Sequence, residues 1–258
     1  MFLRPVSTFV HSWCQVLSAA LVVLGVAAAT AYAHSAIEPA AREEQSWKDR
    51  QALLNQRVAQ LGHESPLIFV GDSITQRWEA EGKDVWLRYY AQRNAVNLGI
   101  SGDATQHVLW RLDNGNLQGI EPKVAVVLIG TNNVTAEAGR VPQVAAGVAA
   151  IVDKLRQRLP HTRVVLVGIL PREENPGPLR GNVLQVNQMI RSLADDQNVF
   201  WLDFGYRFVS ADGTISSQLM RDYLHLTPKG YQIWAEALEQ RLCTLLGDRC
   251  ITPLESTE

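Results

Sequence analysis

Four short segments, polar and rich in small residues, carry side chains able to do covalent chemistry. They are Gly71-Asp72-Ser73-Ile74, Gly99-Ile100-Ser101-Gly102-Asp103, Gly130-Thr131-Asn132-Asn133 and Asp222-Tyr223-Leu224-His225. A serine hydroxyl attacks a carbonyl once a base takes its proton, and histidine is the side chain suited to that near neutral pH. The imidazole needs an acceptor on its other nitrogen to fix tautomer and orientation. Asp222 and His225 are three residues apart, so the carboxylate can reach the ring within one turn. Negative charge growing on an ester carbonyl oxygen needs fixed donors. Ser73, opening a helix, would offer an unpaired backbone N–H in the field of the helix dipole. Gly102 has no Cβ and can bring its N–H close to a substrate, and Asn132 adds a side-chain amide.

Each segment alone has an ordinary structural use. Gly-Asp-Ser is a turn and helix cap, Gly-Thr-Asn-Asn is a turn, and His225 could cap the helix that follows it. Asp103 is expected to cap the helix after Gly102, with His107 on that helix in a structural role. Trp110 and Trp234 are expected in the core. The ordered set is what fills every role of a hydrolase. Other chemistries lack their patterns. The chain has no Gly-x-Ser-x-Gly elbow, phosphate loop, dinucleotide fingerprint or His-Glu-x-x-His, so no metal or other cofactor is expected.

These segments need a scaffold that presents them together. Five runs rich in Val, Ile and Leu recur at Leu67–Val70, Ala95–Leu98, Val124–Ile129, Arg163–Ile169 and Val199–Leu202. Continuous apolar runs suit strands buried on both faces, as in a parallel sheet. Helical periodicity fills the intervals at Ala41–Leu61, Val141–Leu159, Leu179–Ala194 and Lys229–Leu246. The expected fold is a doubly wound, flavodoxin-like α/β sandwich with a five-stranded parallel sheet between helices. Ligands in such folds bind beyond the carboxyl ends of the strands, where the first three segments fall.

The composition is that of a globular chain: 47% apolar and 19% charged over 258 residues. The net charge of −2 leaves no basic excess for a phosphate backbone, so no nucleic-acid partner is expected. The N-terminus reads as an export signal: Arg4, an apolar run from Val16 to Ala29, then Ala31-Tyr32-Ala33, with cleavage after Ala33. An uncleaved anchor is the alternative, since the run to Ala33 sits at the lower limit for spanning. With cleavage no stable membrane span remains, and the product is expected in the periplasm or outside the cell. Cleavage also removes Cys14 and leaves Cys243 and Cys250. On a continuous helix these would stand about 10 Å apart. Gly247 between them could turn the chain back and close a disulfide, or the pair could stay as free thiols.

The four segments, in this order and spacing, resemble the blocks of the SGNH, or GDSL, hydrolases along nearly the whole chain after the signal. The likeness is closer still to the catalytic subunits of the intracellular platelet-activating factor acetylhydrolases. It is carried by Asn97 to Asp103, His107 to Leu112, Leu170-Pro171-Arg172 and Asp222 to Thr227. The resemblance implies one hydrolase domain over residues 34–258, with nucleophile Ser73, base His225 and orienting acid Asp222. It further implies oxyanion donors at Ser73, Gly102 and Asn132, and an acyl pocket closed by Ile74 and Leu224. The expected activity is that of an exported serine esterase cutting short-chain, acetyl esters of a small molecule, sugar or lipid through an acyl-Ser73 intermediate. An acyltransferase acting on exported polysaccharide and a carbohydrate-binding protein with an idle triad are the alternatives.

Overall fold

The computed structural model describes residues 36–61 and 64–252. The expected export segment, Cys14 and His63 lie outside them. Five strands, β1 (Leu67–Gly71), β2 (Val96–Gly99), β3 (Val124–Leu128), β4 (Arg163–Val167) and β5 (Val199–Leu202), form one sheet. Their order is β2-β1-β3-β4-β5 and every pairing is parallel. The helices are α1 (Gln45–Leu61), α2 (Ser73–Gln76), α3 (Lys83–Tyr89), α4 (Thr105–Asp113), α5 (Val141–Arg158), α6 (Pro178–Arg191) and α7 (Pro228–Leu246).

Side chains alternate across a strand, so β1 serves two cores. Ile68 and Val70 pack with Leu54 of α1, Val108 of α4, Val148 of α5 and Val186 of α6. Leu67 and Phe69 pack on the other face with Trp78, Tyr89 of α3, and Trp234 and Leu238 of α7. Here Trp78 meets the Tyr231 and Trp234 rings at centroid distances of 4.4 and 5.1 Å. Such aromatic pairs each add about 0.5–1.5 kcal/mol beyond the area they bury. Helices thus cover both faces, which is why the strands read as unbroken apolar runs.

The register places the chemistry. Gly71 pairs with Gly99 on one side and with Leu128 on the other, so β1, β2 and β3 end level. The loops after them carry Ser73, Gly102 and Asn132 away from one edge, where the strand order reverses direction from β1.

Several boundaries differ from the sequence expectation for physical reasons. Residues 41–44 are not helical. They run across the start of α4, with the Ala40 N–H on the Gln106 carbonyl and Arg42 on the Ser101 carbonyl. β4 ends at Val167 rather than Ile169, because the Ile169 amide and carbonyl both bond the Asn187 side chain instead of a strand. β2 begins one residue later than expected, at Val96. Trp234 is fully buried, whereas Trp110 is half-buried against Trp47.

Gly247 ends α7 at φ +72°, with its N–H on the Cys243 carbonyl, and the returning chain pairs Cys243 with Cys250. Buried Arg93 then grips Glu239 and Asp248, each at 2.7 Å. Glu239 also accepts the Ile251 N–H. Among the described residues no helix is long and apolar enough to cross a membrane.

Candidate active site

The Ser73 segment starts where β1 has no room for a side chain. A Cβ on Gly71 would lie 2.1 Å from Thr75 Oγ1 and 2.4 Å from the Leu128 carbonyl, so only glycine lets α2 begin there. Asp72 caps α2 by accepting the Ile74 N–H at 3.0 Å. The Tyr231 hydroxyl donates to the Ile74 carbonyl at 2.7 Å, and the Asn97 amide donates to the Thr75 carbonyl at 2.9 Å. Ser73 is thereby fixed at the rim, 8% exposed, its N–H without an intrahelical partner.

Asp222 and His225 come from a turn before α7. Asp222 Oδ1 accepts the His225 N–H at 2.7 Å and the Leu224 N–H at 3.3 Å, folding the four residues back on themselves. Asp222 Oδ2 lies 2.7 Å from His225 Nδ1, and His225 Nε2 lies 2.9 Å from Ser73 Oγ. Partial burial works against the Asp222 charge. The bonds from the His225 ring and backbone outweigh it and hold the carboxyl at about 2. With the Nδ1 proton directed at this carboxylate, the Nε2 lone pair faces the serine. The cap of α7 is Thr227, which accepts the Gly230 N–H, so His225 is free of that duty.

Gly102 stands at φ +80°, a conformation L side chains rarely adopt. The Asn132 amide donates one N–H to the Asp103 carbonyl at 2.9 Å, which leaves its second N–H for a ligand. Asp103 does not cap α4, contrary to expectation. It is fully buried and accepts the Trp47 indole N–H and Arg111 Nε, both at 2.7 Å. The cap falls to His107, whose Nδ1 accepts the Ala104 N–H, and to Asn133, which accepts the Thr105 N–H, both at 2.9 Å.

Arg111 is the residue that sequence reasoning passed over. Fully buried, it bonds Asp103, the Asn116 side chain and, at 3.2 Å, the carbonyl of Gly71. It therefore ties the end of β1 to the loop bearing Gly102. A signal was present: Arg111 falls three residues after Val108, on the apolar face of α4. Arg172 was likewise given no role, and it holds the Thr131 carbonyl at 3.1 Å beside Asn132.

Burial pushes the Asp72 carboxyl up to about 7. The Ile74 amide and Arg172 oppose that rise, and nearby Asp103 adds to it. Of the two expected acyl-pocket residues, Ile74 is only 1% exposed and belongs to the aromatic core. Leu224 is half-buried and packs beside that core. Among the described residues no group of three His, Cys, Asp or Glu is placed to hold a metal.

A five-stranded parallel sheet with a hydrogen-bonded Ser–His–Asp set at its carboxyl edge, flanked by free amide donors, has the architecture of an ester hydrolase. The chain belongs to the GDSL-like lipase/acylhydrolase family, which matches residues 69–233, and is a carboxylic ester hydrolase. It is 45% identical over 185 residues to the human platelet-activating factor acetylhydrolase IB subunit alpha1, covering 71% of this chain and 78% of that one. The fold is similar to that of a GDSL-like lipase from Bacteroides thetaiotaomicron (TM-score 0.63, 22% identity, 76% of this chain and 97% of that one). It is also similar to that of an acetylxylan esterase from Geobacillus stearothermophilus (TM-score 0.55, 18% identity, 76% and 99%).

Proposed function

We propose that the protein is an exported serine esterase that removes acetyl and other short acyl groups through a covalent acyl-Ser73 intermediate. The observation that carries this reading is the continuous relay from Asp222 through His225 to Ser73, with bonds of 2.7 and 2.9 Å. His225 Nε2 takes the hydroxyl proton as Ser73 Oγ attacks the ester carbon. The oxyanion is held by the N–H groups of Ser73 and Gly102 and the Asn132 amide. His225 returns its proton to the departing alcohol, then takes one from the water that releases the acid.

The acetyl preference is supported by the relatives' activity as acetylhydrolases and by Leu224 beside the base. Packed side chains resist extra methylenes at a cost of typically about 1–3 kcal/mol, against about 0.8 kcal/mol gained for each one buried in an open tunnel. Export is supported by the N-terminal pattern and by the Cys243–Cys250 pair, since disulfides persist in oxidising compartments.

An aryl phosphonate should add once, on Ser73, as read by peptide mass. p-Nitrophenyl acetate should have a higher kcat/KM than the octanoate, and Leu224→Ala should narrow the gap. A preference for octanoate in the unaltered enzyme would end the acetyl reading while leaving the relay in place. Export is tested by intact mass of the product recovered outside the cytoplasm: a chain starting at His34, two hydrogens lighter than the dithiol form. A full-length chain confined to the cytoplasm would overturn it.

A further inference from the structure

We propose that Arg42, on the segment ahead of α1, is a positioning residue for the oxyanion hole. It would lock the Ser101–Gly102 peptide in the one orientation that presents the Gly102 N–H to substrate. The proposal rests on the reading of Gly102 as an oxyanion donor. Arg42 lies outside residues 69–233, so the family match does not include it.

Ile100 to Asp103 form a β-turn, closed by the Asp103 N–H on the Ile100 carbonyl at 3.2 Å. Gly102, at φ +80°, is its third residue, which is the type II form. Types I and II differ by a flip of the central peptide, here the one joining Ser101 to Gly102. Glycine accepts either form, so Gly102 alone does not choose between them. In a planar trans peptide the C=O and N–H point in opposite directions, so a flip would turn the Gly102 N–H away from the ester oxygen.

Arg42 supplies the missing choice. Its Nη1 donates to the Ser101 carbonyl at 2.8 Å, gripping the central peptide at the end opposite the N–H. The guanidinium is braced in turn. Glu44 takes two of its N–H groups, at 2.8 and 3.3 Å, and buried Asp103 Oδ1 stands 3.7 Å away. It also lies close against the turn, since a Cβ on Gly102 would come within 2.7 Å of Arg42 Nη1. The Ser101 N–H is fixed separately by Gln76 Oε1 at 2.7 Å, so the one peptide left to rotate is the one that Arg42 holds. A cation on the carbonyl also polarises the peptide and strengthens its N–H as a donor.

The test is steady-state kinetics on p-nitrophenyl acetate. Arg42→Met should lower kcat about tenfold, less than the 10²–10³-fold typical of deleting an oxyanion donor, because the N–H remains but is no longer held. KM should stay within about twofold, since the ground-state carbonyl depends little on this donor. Arg42→Lys should recover most of kcat, and millimolar guanidinium ion should raise the kcat of Arg42→Ala. A purely structural role would show neither recovery. Unchanged kcat in Arg42→Met, or a loss that neither lysine nor guanidinium relieves, would overturn the proposal. Asn132→Ala is measured alongside. If it lowers kcat while Arg42→Met does not, Arg42 fails and the oxyanion reading stands. If Asn132→Ala also leaves kcat unchanged, the oxyanion reading falls and takes Arg42 with it.

Discussion

Ser73 and the Asp222–His225 turn belong to one hydrogen-bonded relay, yet they are held in opposite ways. Ser73 stands on a base of buried polar groups: Asp72 and Ser73 are 1% and 8% exposed, and Asp103 and Arg111 beneath the Gly102 loop are fully buried. The Asp222–His225 turn has no such base. The Asp222 side chain is 47% exposed, Tyr223 is at φ +57°, and the hydrogen bonds that shape the turn are local or run to neighbouring loop backbone. Under the proposed mechanism, the difference follows the work of each part. Groups that meet developing charge gain most from fixed dipoles in a dry setting. The pair that shuttles a proton needs correct bonds but little burial. Stability and catalysis should therefore separate at the Asp222–His225 turn and travel together in the buried Asp103–Arg111 pair that supports the Gly102 loop.

Removing the proposed nucleophile has the largest expected effect. Ser73→Ala should lower kcat on the order of 10⁶-fold with stability nearly unchanged. Next comes Asp222→Asn, expected to lower kcat about 10⁴-fold by releasing the histidine tautomer. Because Asp222 is exposed, urea unfolding of that variant should differ from wild type by less than about 1 kcal/mol. A large loss of stability would break the contrast.

On the buried side, Arg111→Met should cost about 3–5 kcal/mol in the same unfolding experiment, because it strands the Asp103 carboxylate. It should also lower kcat through the loop that carries Gly102. A stable variant with normal turnover would show that the buried pair supports neither.

The smallest effect is in pH dependence. The folded Asp72 carboxyl titrates near 7, against 3.8 for an ordinary aspartate, so between these values the folded state holds a proton that the unfolded state has lost. Its contribution is fully present below pH about 4 and is lost as pH rises through about 7, a few kcal/mol at most. Asp72→Asn keeps the cap and should flatten the decline in stability between pH 4.5 and 8. An equally steep decline in the variant would reassign it to other groups.

The readable part of the molecule was what periodicity and segment chemistry report. Apolar runs located all five strands to within two residues at their ends, because burial on both faces leaves no other pattern. The four polar segments located the side chains that meet at the relay. Partners across space were not readable. Nothing local distinguishes an Asp103 that caps a helix from one that meets Arg111 eight residues on and Trp47 across the fold. Residues 41–44 continue an amphipathic pattern, yet they are drawn from the helix by the Arg42 bond to Ser101 and, just ahead of them, the Ala40 bond to Gln106, which only the tertiary structure supplies. Ile74 sits next to the nucleophile, but adjacency in sequence does not set direction, and its side chain belongs to the core.

The Cys243–Cys250 link has a consequence for the other end of α7. That helix starts three residues after His225, the end of the last four-residue segment, and ends at the covalent loop. Helices normally fray from their termini. Here the far terminus is tied by a covalent bond and by the Arg93 bonds to Glu239 and Asp248, so opening cannot travel up from it. Amide exchange along Pro228–Leu246 should then be slow and nearly uniform. Reduction should restore a gradient of protection, fastest near Gly247 and fading toward Thr227.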